Sequence, residues 1–264
     1  MPIPSGKATC IVKEEIDPRG RYITVPEFQW IMNYFKDRYD PRRLALALCY
    51  TCGFRIDNAV NCKRSDFNQD FTYVKMKQCK PHVRCKDKVV RINIKSKNHP
   101  LPEWLSADLR GYINLRIRLG YYNNFEIPNA LFPCLRKSQI YCLFNKLREK
   151  YGKDNPWLLE VWYKIHRYGD DGKLIATQTF YRCAPHAGRA HHARCALDIC
   201  DNDLAAAKIL TTHERVKDVE RYTKYCNVED LKQQLVDKYM NPLLQTNNIP
   251  LAKSQKTLKK YFRS

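Results

Sequence analysis

The chain has 264 residues, and its 47 Lys and Arg against 27 Asp and Glu give a formal charge of +20, so the expected partner is a polyanion bound in a salt-dependent way, nucleic acid first. No apolar run is long enough to span a bilayer, and the opening MPIPSGKATC lacks a signal-peptide apolar core. A membrane-spanning or secreted protein is therefore not expected; an intracellular, DNA-associated one is, in the cytoplasm, the nucleoid or a host nucleus.

In chain order, residues 1–24 mix Pro, Gly and charge without periodicity and read as an N-terminal arm. Thr24, with Glu27 three later, forms a capping box ahead of VPEFQWIMNYF and predicts a helix over Thr24–Asp37. A second, buried helix is expected from Pro41, behind Asp40, through LALALCY, and a third from about Arg55 to Cys62, after the break at Gly53. FTYVKM and VVRINI, between Phe71 and Ile94, predict a small antiparallel sheet, its strands joined by the basic loop QCKPHVRCKDK. Helices are expected over Glu103–Leu119 and Ser138–Lys150, then a hairpin whose alternating segments flank GDDG. Helical spacing returns over Ala187–Cys200, over Asp203–Leu210 behind a capping Asp203, and over Val228–Tyr239. Residues 241–264 end in KSQKTLKKYFRS, a basic tail. The expected fold is mainly α (α+β), a helical bundle with a small antiparallel β-sheet: an arm at 1–24, one main domain at 25–240 and the tail. Twelve cysteines in a chain of this length and ordinary apolar content are expected as reduced thiols packed like small apolar residues, not as a disulfide scaffold.

The chemistry-bearing residues concentrate between His186 and Tyr222. PHAGR places His186 and Arg189 three apart, on one face of a helix start, and TTHERVKDVERY adds His213 and, nine residues later, Tyr222. Two imidazoles can carry protons, a guanidinium forks onto phosphate oxygens, and a phenol can act as nucleophile; together they suit phosphodiester chemistry. His191 and His192 share the predicted helix and read mainly as structural or DNA-facing. Upstream, GFR contributes Arg55, and IKSKN contributes Lys95 and Lys97. A separate hypothesis concerns Cys79, His82 and Cys85, spaced C-x-x-H-x-x-C, with Cys62 as a fourth candidate zinc ligand. The competing reading of that stretch is a basic loop on phosphate backbone. Cys195 and Cys200 read as core.

With residues and elements in this order, the chain resembles the catalytic domain of tyrosine recombinases, the phage-integrase family, over roughly residues 24–226. The resemblance implies an enzyme that cleaves and rejoins double-stranded DNA through a covalent 3′-phosphotyrosine, with no cofactor, as an integrase or recombinase of a virus or mobile element. It implies Tyr222 as nucleophile, Arg55 and Arg189 on the non-bridging oxygens, His213 as a further donor, His186 as acceptor of the nucleophile's proton, and a hairpin lysine as general acid. Lys95, followed by Ser96, is preferred for that last role, with Lys97 the alternative. Exchange of two duplexes needs four cleavages, so a homo-tetramer on DNA is expected, with the tail a candidate for docking onto a neighbouring subunit.

The chain departs from the family at named places. Asn58 stands where the family usually carries an acid, with Asp57 one earlier; Gly188 replaces the usual leucine before Arg189, and Thr212 the usual glycine before His213. The first 24 residues are too few for the family's separate DNA-clamp domain. The same chemistry would suit a type IB topoisomerase or a hairpin telomere resolvase. A non-catalytic DNA-binding or packaging factor with the same fold is the alternative from another class.

Overall fold

In the computed structural model of the chain, the described residues are 10–16, 23–76, 83–85, 88–90, 97–120, 129–200, 210 and 236–241. Helix α1 (Val25–Tyr34) starts with reciprocal capping: the Thr24 hydroxyl accepts the Glu27 N–H at 3.4 Å, and the Glu27 carboxylate accepts the Thr24 N–H at 2.8 Å. Two otherwise orphaned donors are thereby satisfied. Helix α2 (Pro41–Thr51) is capped by Asp40, which accepts the Arg42 N–H at 2.8 Å, and every residue of it except Arg42 is buried. A helix that is buried all round belongs at the centre of the molecule, and the others gather on it. Phe28 of α1 stacks on Tyr50 of α2 with centroids 3.6 Å apart. After α3 (Ile56–Val60) come α4 (Glu103–Arg118), α5 (Lys137–Tyr151) and α6 (Ala187–Ile199), of which α4 and α6 pack on α2. A charge cluster is built into this core: Arg43 of α2 donates to Asp108 of α4 at 2.6 Å, and Arg38 pairs with the same carboxylate.

The described strands are β1 (Cys10–Glu15), β2 (Tyr73–Met76), β3 (Val83–Cys85), β4 (Lys88–Val90), β5 (Lys97–Pro100), β6 (Val161–Tyr168) and β7 (Leu174–Tyr181). They form three antiparallel sheets, in the orders β1-β6-β7, β2-β5 and β3-β4. The fold of the described residues is thus mixed helix and sheet, with small antiparallel sheets. The β6–β7 hairpin turns at GDDG as its sequence predicts, with Gly172 at φ +71 and the Gly169 N–H on the Lys173 carbonyl at 2.9 Å.

Two expectations need correction. Among the described residues FTYVKM pairs through β2 with β5, Tyr73 opposite Pro100 and Met76 opposite Lys97, and Val89 and Val90, which open VVRINI, pair through β4 with β3. Strands this short, without a long alternating face, carry no register signal. The N-terminal arm contains a strand, β1, whose Cys10 faces Tyr168 and whose Glu15 faces Tyr163 of β6. All six of its residues are exposed, so no alternation of polar and apolar positions betrays it.

Cys49, Cys52, Cys62, Cys183 and Cys195 lie in the core, as thiols used for packing should, while Cys10 and Cys142 are exposed. The predicted Asp203–Leu210 helix lies outside the described residues except for Leu210, which is buried with Ala196 of α6. Of Val228–Tyr239, the described part belongs to a π turn, Val236–Met240, with Val236 and Met240 in the core. The Met240 carbonyl accepts the Trp104 indole N–H at 2.9 Å, and the Asn241 side chain accepts the Glu103 N–H at 2.9 Å, capping α4 from the far end of the chain. No helix among the described residues is long and apolar enough to cross a membrane.

Candidate functional site

Where α2 ends, Gly53 takes φ +67, a left-handed conformation that costs glycine nothing for want of a Cβ. The Phe54 N–H then turns back to the Leu48 carbonyl at 3.4 Å. A Cβ on Gly53 would also stand 2.6 Å from the His192 ring, so both backbone and packing call for glycine. The turn delivers Arg55, at φ −70 and ψ 148, to the start of α3 with its side chain exposed.

Helix α6 lies directly on α2. A Cβ on Gly188 would come within 3.1 Å of the Tyr50 backbone, so a glycine at this position lets the two helices approach. One residue on, the Arg189 guanidinium donates to the Gly53 carbonyl, 136 positions earlier in the chain. Arg189 and Arg55 therefore converge on one turn. Burial first, and the Arg55 charge second, push Arg189 down to about 10, so it stays cationic at neutral pH. Among the described residues no carboxylate pairs with either guanidinium. His186 immediately precedes α6, partly exposed, with its carbonyl accepting the Ala190 N–H at 3.4 Å. The opening turn of a helix presents unsatisfied N–H groups and the positive end of its dipole. Two unneutralised guanidiniums beside that turn make a site for an anion with several oxygens.

Sequence reasoning missed what holds this segment in place. Arg182, 2% exposed, donates to both carboxylate oxygens of Glu27, at 2.6 and 3.0 Å, and also pairs with Glu160. The triad ties the exit of β7 to the start of α1 and so fixes the few residues that lead to His186. Glu27 lies 155 positions from Arg182, and nothing local in the sequence signals such a pair. His191 and His192 are structural: His191 stacks on Tyr50 at 4.1 Å and meets the Cys195 sulfur at 3.2 Å. His192 is buried against Gly53 with its ring 5.3 Å from that of His99 on β5. Burial, then the neighbouring His99 and Arg189, hold His192 well below the usual imidazole range. Asp57 is engaged at the surface by Lys137 of α5 at 3.0 Å.

The arginine pair and His186 are thus the predicted site residues that the described part of the chain contains. Lys95, His213 and Tyr222 lie outside the described residues, as do Cys79 and His82 of the zinc hypothesis and the side chains of Lys97 and Cys85. Cys62, the suggested fourth ligand, is a core thiol that burial pushes well above its ordinary range. Among the described residues no group of three or more His, Cys, Asp or Glu could hold a metal ion. No protein-family model matches the chain, and no curated protein matches it either.

Proposed function

We propose that the protein is a DNA strand-cleaving and rejoining enzyme of the tyrosine-recombinase type, acting as an integrase or recombinase for a virus or mobile element. Tyr222 attacks the scissile phosphorus and forms a 3′-phosphotyrosine while a sugar hydroxyl leaves. The phosphodiester bond energy is kept in that linkage, so rejoining needs no cofactor. Arg55 and Arg189 take the non-bridging oxygens and meet the charge that grows in the transition state. His213 adds a donor, His186 accepts the phenolic proton, and Lys95, or Lys97, protonates the leaving oxygen. The substrate is double-stranded DNA inside the cell, and strand exchange calls for four subunits.

One observation carries this reading: Arg55 and Arg189 meet at the Gly53 turn with no carboxylate paired to either among the described residues. Among the described residues the Arg189 guanidinium has a peptide carbonyl and no acid to meet it, which supports a role for the pair in holding an anionic ligand. A formal charge of +20 fits a polyanionic one. The engagement of Asp57 by Lys137, with Asn58 where the family has its acid, favours the second reading, a DNA-binding or packaging factor weakened in catalysis. A nicked suicide duplex separates the two. The first predicts a covalent protein–DNA adduct that survives denaturation and disappears in Tyr222→Phe. Retained DNA binding with no adduct from the unaltered chain would leave the second.

A further inference from the structure

Among the described residues, β7 (Leu174–Tyr181) ends the β1-β6-β7 sheet: β6 pairs with one side of its backbone, and nothing pairs with the other. Its eight residues make it longer than the usual strand of about five or six. The register shifts against β6 fall at either end, which leaves Ala176–Phe180 regular. Neighbouring residues of a strand point to opposite faces, and Thr177 and Gln178, at its middle, are both exposed. The middle of this edge is thus open on both faces. Leu174, next to the hairpin turn, is 54% exposed as well.

The strand also departs from the rest of the chain in composition. Charged residues make up 28% of the sequence, yet LIATQTFY has none, and it holds neither proline nor glycine. An open edge is a template for another strand, and proteins ordinarily guard it with charge, proline or a bulge. The opposite edge of the same sheet is guarded: three of the six residues of β1 are Lys13, Glu14 and Glu15. A sheet defended on one side alone can add a strand on the other. A second copy of the chain fits there. Two molecules of charge +20 repel over most of their surface, and an uncharged strand is where they can meet. About a two-fold axis normal to the sheet, antiparallel β7 strands bring the same patch together, with Thr177 or Gln178 facing its own copy at the axis. The two β1 strands then lie at the outer edges, so growth stops at two.

We propose that β7 is a dimer edge, pairing antiparallel with β7 of a second copy into one six-stranded sheet. Neither Arg55, Arg189 nor His186 lies on this strand, and the pairing is measured without DNA, so it stands or falls apart from strand cleavage. Sedimentation of the nuclease-treated full chain over a concentration series tests it. A monomer–dimer equilibrium in the micromolar range is expected, tightening as added salt screens the repulsion between copies. Gln178→Lys and Thr177→Lys set like charges against each other across the axis and should each weaken dimerisation about tenfold, with melting curves showing that both variants stay folded. Val12→Lys, on the guarded edge, should leave the equilibrium unchanged. A monomer at every concentration, a dimer that persists in both Gln178→Lys and Thr177→Lys, or one that Val12→Lys disrupts equally would overturn the proposal. So would a monomer that takes up a short alternating Thr–Val peptide, which would give the edge to a foreign strand.

Discussion

Two arginines seven residues apart stand in opposite surroundings. Arg182 is clasped by Glu27 and Glu160, which outweigh the cost of its burial and raise its pKa. Arg189 is partly buried beside a second cation, pushed down to about 10, and among the described residues a peptide carbonyl is what accepts from it. The first is a fastener and its electrostatics are closed. The second is desolvated with no counter-charge among the described residues, and an uncompensated buried charge costs the fold free energy. Stability and ligand binding should therefore separate cleanly between the two positions.

The largest stability effect is expected at the fastener. Arg182→Ala strands two carboxylates, one of them largely buried, and removing one partner of such a group costs about 3 kcal/mol. A thermal melt should show it. The pH dependence sharpens the point. Burial alone would raise the Glu27 pKa, but its bonds from Arg182 and Thr24 outweigh that and hold it below the ordinary value. A carboxyl depressed in the folded state stabilises fully above its unfolded pKa and loses that contribution as pH falls through the folded value. Arg182→Ala should thus flatten the acid limb of the stability curve below about pH 4.3. An acid limb as steep in the variant as in the unaltered chain would remove the distinction drawn between the two arginines.

Much of the scaffold was legible because its signals are local. The Thr24–Glu27 capping box, Asp40 before Pro41, the break at Gly53 and GDDG between alternating segments each act within a few residues. The pairing of β2 with β5, the exposed strand β1 and the Arg182 triad depend on partners far along the chain or on faces that meet solvent, and no periodicity encodes those. At the site, GFR and PHAGR named Arg55, His186 and Arg189, but the reason they belong together is three-dimensional. Gly53 supplies both the turn that presents Arg55 and the carbonyl that holds Arg189, and Gly188 supplies the close approach. His192, buried under that turn, looked from its spacing like any helix histidine.

A second effect, smaller in stability, joins the two regions. Gly53→Ala forces an L side chain into the left-handed region and into the His192 ring, at about 2 kcal/mol from backbone and overpacking together. Because the same turn positions both arginines, DNA affinity should fall along with the melting temperature, whereas Arg182→Ala at a temperature where it is folded should keep most of its affinity. If Gly53→Ala lowers the melting temperature yet leaves DNA affinity untouched, the turn does not organise the anion site.

The smallest stability change is expected where the binding change is clearest. Arg189→Met replaces a desolvated cation by an apolar chain of similar length, relieving its repulsion from Arg55 at the loss of one hydrogen bond to Gly53. Exchanging an uncompensated buried charge for a well-packed apolar group is often neutral or stabilising, so the melting temperature should stay within a few degrees or rise. DNA binding should weaken, and the slope of log K against log salt should become shallower by about one, as for any phosphate contact removed. A fastening arginine behaves the other way round, losing stability and keeping its salt slope. Measured side by side with Arg182→Ala, the two slopes and two melting curves decide whether Arg189 is held for the fold or for a phosphate.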